Sequence, residues 1–523
     1  MKNKEQRFVT LLAEELPPGW TLATIGEMID TDGVFTDGDW VVSKDQDPDG
    51  DVRLVQLADI GDGSWVNKSS RYLTYEKAIE LGCTFLELGD VLIARMPDPL
   101  GRACIFPGDS KRCITAVDVC IVRTGNQDIN HRWLMHTINS PAVRVVVESL
   151  QSGSTRKRIS RKNLGRIEFP LPPSPEQRRI VAEIETQFTR LDAGVAALER
   201  AQANLRRYKA SVLKAACEGR LVPTEAELAR AEGRGYEPAG QLLARILAER
   251  RAKWEAEHPG KKYKEPASPD TENMLELPER WVWGKFEQLI SSFRSGSSAV
   301  PQNEPTDFPI LRSSSVRPLR LDCNDVRFVT EADSQRADNF LQEDDLLFTR
   351  LSGSLDYVGN CALVKGTESR GIQYPDRQFR AQLVEQGMGQ YVEICFASSQ
   401  LRKEITAQAK STAGHQRISM GGIREQVLPL PPLAEQRRIV AEVERRLSVV
   451  AALEASVEAA LARARRLRQA VLKRAFEGQL VPQDPDDEPA SVLLERIRAR
   501  RETGKKAGET NRKKKQLQQL ELL

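Results

Sequence analysis

The segment PLPPSPEQRRIVAEIE at residues 170–185 returns as PLPPLAEQRRIVAEVE at residues 429–444. The offset between the two copies is 259 residues, and the same offset aligns Arg158-Ile159-Ser160 with Arg417-Ile418-Ser419. Self-similarity at one fixed offset is the signature of a repeated structural unit. The chain is therefore built of two similar halves.

The repeat extends to both sides of these segments. Downstream, EGRLVP at 218–223 matches EGQLVP at 477–482, and upstream LPPGW at 16–20 matches LPERW at 277–281 more faintly. Between these anchors the two halves diverge widely. The predicted order is a variable domain, a similar segment, a second variable domain and a second similar segment.

Each similar segment predicts one long helix. Pro175 suits the first helical turn, and Gly219, just before Pro223, is a typical residue to follow a helix end. Apolar positions shared by both copies recur mostly at steps of 3, 4 or 7, which makes one apolar stripe. A helix of this length, roughly 65 Å, needs a partner along its stripe, and its own copy is the obvious one. The residues expected to pack on the two stripes are Ile180, Ile184, Phe188, Leu191, Leu198, Tyr208 and Val212, with Ile439, Val443, Leu447, Val450, Val457, Leu467 and Val471. A second amphipathic helix is predicted near 239–257 and 490–501.

Length and composition limit the class of protein. The chain has 523 residues, 40% of them hydrophobic, which is enough for several buried cores. Its 77 Lys and Arg nearly balance 74 Asp and Glu, so any basic surface has to be local. No apolar run approaches the ~20 residues that span a bilayer. Eight cysteines without a C-x-x-C pair fit reduced thiols, and we expect a cytoplasmic protein.

The variable domains carry short apolar runs that are typical of strands, separated by Asp-Gly turns. We therefore expect an α+β fold: two globular mixed α/β domains separated by two long helices, with an internal pseudo-two-fold repeat. The expected divisions are 1–170 and 276–429 for the variable domains, 171–260 and 430–502 for the helical segments, 261–275 for a linker and 503–523 for a basic, disordered tail.

A basic stretch closes each variable domain. Residues 152–162 hold five cations and no acid, and their equivalent is 410–419. Small residues let backbone amides approach phosphate, and Ser, Thr and Arg donate to it. The candidate phosphate-binding residues are Ser154, Thr155, Arg156, Lys157 and Arg158, with Ser411, Thr412, His415, Gln416 and Arg417. Arginines near predicted strand ends, which can bind guanine edges, are Arg53, Arg95, Arg312, Arg317 and Arg350. Internal ion pairs are the alternative interpretation for these arginines. For the basic segments the alternative is a loop that caps the next element, with Arg158 and Arg417 paired internally.

Catalytic motifs are nearly absent from the sequence. It has no Walker A segment, no H-E-x-x-H and no G-x-S-x-G. Asp98, Asp109 and Lys111 satisfy a loose nuclease pattern, in which two carboxylates would hold Mg²⁺, but turn residues are the simpler interpretation. His131 and His136 are five residues apart, which does not place them on one helical face as a metal pair.

The arrangement resembles the specificity subunit of type I restriction-modification enzymes. The resemblance rests on the two EQRRIVAE segments, the two EG(R/Q)LVP segments and the LPPGW and LPERW openings. The segments GDVLIAR at 89–95 and DDLLFTR at 344–350 fit the same family. Each motif occurs twice and in the same order, so the resemblance covers the chain up to about residue 500.

This resemblance implies a non-catalytic protein that recognises double-stranded DNA. Each variable domain would be a target recognition domain that reads one half of an interrupted, asymmetric site. The long helices would pair antiparallel as a coiled-coil spacer. Two modification subunits with S-adenosylmethionine and two restriction subunits with ATP and Mg²⁺ would be the partners, so no cofactor or metal is expected in this chain. A nuclease acting through Asp98, Asp109 and Lys111 and a helical scaffold that binds no DNA are the alternatives.

Overall fold

The computed structural model describes residues 16–272, 274–330, 339–366, 369, 371–412 and 414–504. The basic tail predicted for 503–523 lies outside the described residues from 505 onward. The chain divides into two compact units. Unit 1 joins the residues up to Leu198 with those from Ala459 onward, and unit 2 spans Glu199–Glu458. Each unit therefore takes part of both long helices.

Unit 1 holds the first variable domain. Its strands are β1 (Thr21–Thr24), β2 (Val34–Asp37), β3 (Val52–Val55), β4 (Tyr72–Leu73), β5 (Val91–Ala94), β6 (Ala103–Ile105), β7 (Arg112–Thr115), β8 (Val119–Arg123) and β9 (Glu168–Leu171). Its helices are α1 (Ile25–Met28), α2 (Tyr75–Glu80), α3 (His131–Ile138), α4 (Pro141–Ser149) and α5 (Arg161–Leu164), with 3₁₀ turns at Ser43–Asp45 and Leu57–Asp59.

The central sheet of this domain has the order β2-β8-β5-β6 and is antiparallel throughout. A three-stranded sheet, β4-β3-β7, contains a parallel pair between β3 and β7. Strand β1 pairs with β9, so the start of the domain meets its end. Strand β5 lies inside the central sheet and is buried along its whole length, which fits its run of Val, Leu, Ile and Ala.

Unit 2 holds the second variable domain. Its strands are β10 (Val282–Lys285), β11 (Ile290–Ser295), β12 (Pro309–Leu311), β13 (Val316–Arg317), β14 (Arg320–Leu321), β15 (Val326–Phe328), β16 (Leu346–Thr349), β17 (Leu351–Ser352), β18 (Cys361–Leu363), β19 (Gln378–Leu383), β20 (Lys410–Thr412), β21 (His415–Arg417) and β22 (Val427–Leu430). Its helices are α7 (Glu225–Glu232), α8 (Ala239–Glu257), α9 (Phe286–Leu289), α10 (Gly389–Ala397), α11 (Ser399–Gln408) and α12 (Met420–Arg424).

The two domains repeat the same plan although their sequences diverge. The central sheet of the second domain has the order β11-β19-β16-β18, which matches β2-β8-β5-β6 of the first. Its strands β10 and β22 pair as β1 and β9 do. Two helices follow the sheet in each case, α3 and α4 in the first domain and α10 and α11 in the second. The internal repeat predicted from the sequence is therefore also a repeat of structure.

The two long helices are α6 (Ser174–Cys217) and α13 (Leu433–Phe476), each of 44 residues. In unit 1 the first part of α6 packs against the last part of α13, where Ile184 and Phe188 share a core with Val471 and Leu472. In unit 2 the last part of α6 and the first part of α13 share the other large core. The two helices therefore run antiparallel, as the resemblance implied, in the α+β fold that the sequence predicted.

The apolar stripe is buried at most of its positions but not at all of them. Ile180, Ile184, Ile439 and Val443 are almost completely buried. Tyr208 and Leu467, at equivalent positions of the two copies, are 44% and 47% exposed, which differs from the expected packing. Val450 and Val457, nearer the middle of the second helix, are 2% and 8% exposed, so burial does not depend on the distance from the helix end.

A shorter helix from each similar segment packs beside a variable domain. Helix α8 begins where the amide of Ala239 donates to the carbonyl of Arg280 at 3.1 Å. The last described helix, α14, spans 490–504 and begins where the amide of Ala490 donates to the carbonyl of Gly19 at 2.8 Å. Among the described residues, no helix is long and apolar enough to cross a membrane.

Candidate nucleic-acid interface

The same backbone junction occurs at the end of the central strand in both domains. Arg95 directly follows β5, and its carbonyl accepts the amide of Ile159 at 3.0 Å. Arg350 directly follows β16, and its carbonyl accepts the amide of Ile418 at 3.1 Å. Both isoleucine side chains are buried, so they anchor the segment that precedes them. In each domain the basic segment is thereby fixed at the end of the buried central strand.

The basic segment of the first domain is a closed loop. Ser152 and Arg158 exchange backbone hydrogen bonds of 2.8 and 2.9 Å, which bring its two ends together. Gly153 has a φ of 95°, and a Cβ there would lie 2.3 Å from the carbonyl oxygen of Arg156. Only glycine fits this turn without strain. The tip of the loop is exposed at all four candidates, Ser154, Thr155, Arg156 and Lys157.

The charges of this loop are only partly neutralised. The guanidinium of Arg158 lies 2.6 Å from Oδ1 of Asp118, so Arg158 is held in an ion pair. Within the described part of the chain, neither Arg156 nor Lys157 forms an ion pair. An exposed cation without a carboxylate partner keeps its charge available to a phosphate. Arg156 and Lys157 are therefore the stronger phosphate candidates of the first domain.

The basic segment of the second domain is a hairpin. Strands β20 and β21 pair so that Arg417 lies opposite Lys410, Gln416 opposite Ser411 and His415 opposite Thr412. Strand β17 adds to this hairpin on the other side of Arg417, through Leu351. The side chain of Gln416 donates to Ser411 Oγ at 3.5 Å. The hairpin thus presents the candidates of the second domain as a short ladder next to Arg350.

Two of the arginines predicted to bind guanine are instead buried ion-pair partners. Arg53 is 6% exposed and contacts Asp59 at 3.1 Å and Asp109 at 2.7 Å. Arg95 is 7% exposed and pairs with Asp37. A guanidinium enclosed in this way offers almost no surface to a base edge. The alternative interpretation of an internal ion pair therefore describes both side chains.

The buried charge of Asp59 explains why Arg53 stays in its ion pair. Burial by itself raises the pKa of this carboxyl, but hydrogen bonds from the backbone at Gln56 and from Ser69 reverse the effect and lower its pKa below the usual range. The carboxylate is fully buried and stays charged, so it requires a cation beside it. Arg53 supplies that cation and has a structural role.

The arginines of the second domain are more accessible. Arg312 lies 3.7 Å from Asp325 with 45% of its side chain exposed. The guanidinium of Arg317 lies 4.4 Å from the ring centre of Tyr357, and that of Arg350 donates to the carbonyl of Asp376 at 3.0 Å. None of these three contacts encloses the cation, so all three arginines keep surface for a ligand.

Two cations at this junction were not among the residues predicted to bind DNA. The amide of Arg350 donates to the carbonyl of Arg377 at 2.9 Å, and Arg377 is exposed. Lys410 is also exposed and lies opposite Arg417 in the hairpin. Lys410 opens the basic segment that the sequence analysis identified. The 259-residue offset of the repeat aligns Arg377 with Asp118, and that difference in charge is the sequence signal that could have found it.

Two residues of the nuclease pattern, Asp109 and Lys111, have other partners. Asp109 pairs with Arg53, and Nζ of Lys111 donates to the carbonyl of Gly50 at 2.8 Å and lies 4.5 Å from the ring centre of Tyr72. No group of three or more His, Cys, Asp or Glu side chains able to hold a metal occurs in the described part of the chain. Nothing in this geometry favours the nuclease alternative.

Comparisons with known proteins agree with this architecture. The family described as the type I restriction modification DNA specificity domain matches residues 17–199. The specificity subunit of the type I restriction enzyme EcoKI from Escherichia coli (strain K12) is 32% identical over 385 residues, covering 72% of this chain and 73% of that protein. The EcoEI specificity subunit of Escherichia coli is 23% identical over 518 residues, covering 88% and 84%.

A solved structure shares the fold. It comes from work on complex assembly and conformational transition of the type I R-M system, and it superposes with a TM-score of 0.59. The match covers 89% of this chain and 99% of that chain at 18% identity, so it shows the fold alone.

The repeated fold, the doubled junction and these relatives define a component of a restriction system. This chain belongs to the specificity subunits of type I restriction enzymes. Such a subunit is not itself the enzyme, as the sequence predicted, because catalysis belongs to other subunits of the complex.

Proposed function

We propose that each variable domain reads one half of an interrupted, asymmetric sequence in double-stranded DNA. One observation carries the proposal: both domains fix a basic segment to the end of their central strand through the same hydrogen bond, Ile159 to Arg95 and Ile418 to Arg350. The variable domains differ widely in sequence outside the repeated motifs, so the two domains would select different bases. The reading domains of the proposal are 1–170 and 276–429, and the helical segments are 171–260 and 430–502.

The proposed DNA contacts are cations and polar groups of the two basic segments, together with three arginines of the second domain. In the first domain they are Ser154, Thr155, Arg156 and Lys157, with Arg158 limited by its ion pair to Asp118. In the second they are Arg312, Arg317, Arg350, Ser411, Thr412, His415, Gln416 and Arg417. We leave Arg53 and Arg95 out, because their guanidinium groups are buried against carboxylates.

The two long helices would set the spacing between the half-sites and bind the modification subunits. Their exposed positions, which include Tyr208 and Leu467, leave apolar surface for a partner. The proposed complex has two modification subunits, which carry S-adenosylmethionine, and two restriction subunits, which carry ATP and Mg²⁺. In this proposal the chain itself holds no cofactor and acts in the cytoplasm.

The proposal is tested by mapping N6-methyladenine in host DNA by long-read sequencing, with this chain present and deleted and its modification partner unchanged. We expect a split, asymmetric motif that loses methylation on deletion. Exchanging residues 1–170 for the same domain of a relative should then change one half of the motif only. A motif that changes in both halves would contradict the assignment of one half-site to each domain.

The spacer role has a separate test. Seven residues inserted into α6 add about two helical turns, or roughly 10 Å. We expect the mapped motif to change its gap or to disappear, while a substitution of Leu198 that keeps the helix length leaves the gap unchanged. An unaltered gap after the insertion would contradict a rigid spacer.

A further inference from the structure

The two domains carry opposite charges at one equivalent position. In the first domain, the carbonyl of Asp118 accepts the amide of Arg95 at 2.9 Å. In the second domain, the carbonyl of Arg377 accepts the amide of Arg350 at 2.9 Å. The registers of the central sheets agree, since Ala94 pairs with Val119 and Thr349 pairs with Gln378, the residues next in the chain. Asp118 and Arg377 therefore occupy the same place in the two copies of the fold.

The difference between Asp118 and Arg377 changes the ion pairing of the arginine in each basic segment. Arg158 and Arg417 are equivalent in sequence, since both precede the anchoring isoleucine. Arg158 is neutralised by Asp118 at 2.6 Å. Arg417 forms no ion pair with any residue that the structure describes. Replacement of a carboxylate by a guanidinium thus removes a partner from Arg417 and adds a second cation.

In the second domain, several cations lie close together along the backbone at the junction. Arg350 and Arg377 are joined by their backbone hydrogen bond, and Arg417 lies opposite both Leu351 and Lys410 in the three-stranded sheet. Asp376 is the nearest acid along the chain, and within the described residues its carboxylate forms no ion pair. Cations without a neutralising carboxylate can pair with the phosphates of a nucleic-acid backbone.

We propose that Arg377, together with Arg417, binds backbone phosphates of the duplex half-site read by the second domain. The inference rests on the proposed function and deepens it, because it assigns a stronger electrostatic grip to one half-site. The first domain, with Asp118 in this position, contributes fewer phosphate contacts at its junction. Phosphate contacts carry no base information, so Arg377 adds affinity for any sequence and leaves the preference for the motif unchanged.

The test measures duplex binding by the full-length chain assembled with its modification partner, as a function of salt concentration. The probes are a duplex that carries the mapped motif and a scrambled duplex. Each phosphate contact contributes about 0.9 to the slope of log affinity against log salt. We expect Arg377→Ala to reduce the slope by about 0.9 on both duplexes. The loss of affinity between 50 and 200 mM salt would then be about 3.5-fold smaller than in the wild type.

Three further variants complete the test: two should leave the salt slope unchanged and one should increase it. Arg377→Lys keeps the charge and is expected to keep the slope. Lys403→Ala removes one exposed cation from α11, beside Lys214 of α6, and is expected to change neither slope nor affinity. Asp118→Ala releases Arg158 and is expected to increase the slope.

Two outcomes would overturn the assignment. An unchanged slope in Arg377→Ala, with wild-type binding intact, would exclude a phosphate contact. A lost preference for one base of the motif in Arg377→Lys would identify Arg377 as a base-reading residue instead. A wild-type complex that shows no salt-dependent binding to either duplex would overturn the proposed function itself, and this inference with it.

Discussion

The indole Nε1 of Trp20 donates to Oε2 of Glu176 at 2.9 Å, and both side chains are buried. The second half repeats the bond, with Nε1 of Trp281 donating to Oε1 of Glu435 at 3.1 Å. This contact explains two separate motifs of the sequence, the tryptophan of LPPGW and LPERW and the glutamate of EQRR. In each half it ties the entry of the variable domain to the first turn of a long helix.

Loss of this bond is expected to destabilise the protein. Trp281→Phe removes the indole donor and leaves a buried carboxyl, whose pKa burial already raises, without one of its partners. A hydrogen bond to a charged group contributes about 1.5–3 kcal/mol, so the free energy of unfolding should fall by about that amount in urea denaturation. Trp40→Phe is the control, because Trp40 is 72% exposed. Equal effects of the two substitutions would contradict the anchoring role.

A glycine after the first long helix allows a close approach. Gly219 has a φ of 65°, and a Cβ there would lie 2.4 Å from Cγ of Pro278. Gly233 has a φ of 66° with nothing within 4 Å of its Cβ position. Gly233→Ala is expected to cost about 1 kcal/mol of backbone strain. Gly219→Ala should cost about 1–3 kcal/mol more, because the contact adds to the strain. Thermal unfolding of the matched pair measures the difference, and equal melting temperatures would exclude the close approach.

Arg53 is expected to matter for stability rather than for DNA affinity. Arg53→Met leaves the buried carboxylate of Asp59 without its cation, which costs about 3–5 kcal/mol. Arg71→Met, at the exposed residue directly before β4, serves as the control. Chemical denaturation gives the stabilities, and DNA affinity of the folded fraction should stay at the wild-type value. A stable Arg53→Met protein with weakened DNA binding would restore Arg53 as a contact residue.

His136 makes stability depend on pH. Burial, with smaller contributions from Arg468 and Arg132, lowers the pKa of His136 from 6.5 to about 4. Between these values the unfolded chain binds more protons than the folded one, so this contribution to stability is lost as pH falls. The expected loss from pH 7.5 to pH 5 is about 2 kcal/mol.

Denaturation of the wild type and of His136→Gln at both pH values isolates this contribution. The wild type should lose more stability on acidification than the variant, by that amount. His258→Gln is the control, because it removes a different histidine. The His258 ring stacks on Trp254 at the end of α8, with 4.6 Å between the ring centres. Parallel pH dependence of the wild type and His136→Gln would exclude His136 as the titrating group.

The exposed loop of the first domain gives a prediction about affinity. Arg156→Ala combined with Lys157→Ala removes two cations without disturbing the backbone bonds that close the loop. Two lost phosphate contacts should lower the salt slope of duplex binding by about 1.8. Arg132→Ala removes a cation that pairs with Glu185 of α6 and is the matched control. A double variant with the wild-type slope would exclude this loop from the DNA interface.

The sequence predicted the features that repeat or that follow local periodicity. The two copies of EQRRIVAE, the apolar stripe and the basic segments established the duplicated plan and the place of each candidate surface. It could not separate accessible arginines from enclosed ones. Arg53 and Arg95 are enclosed by Asp59, Asp109 and Asp37, and the last two of these lie more than fifty residues away along the chain.

Only the tertiary structure shows that the segment following each long helix contacts the first turn of the other long helix. In unit 1, Gln483, which follows EGQLVP of the second copy, donates to Glu176 of the first at 3.4 Å. In unit 2, the amide of Glu225, which follows EGRLVP of the first copy, donates to Glu435 of the second at 2.9 Å. Within one copy these motifs stand at opposite ends of a 44-residue helix and cannot meet.

The sequence by itself therefore determined the family, the duplication and the long helices, because motif order and apolar spacing are properties of the chain. The tertiary structure decided which charges remain available, because ion pairs depend on residues that only folding brings together. It also showed that Asp118 and Arg377, which the 259-residue offset of the repeat aligns, hold the same place in the two central sheets, because strand register fixes that place.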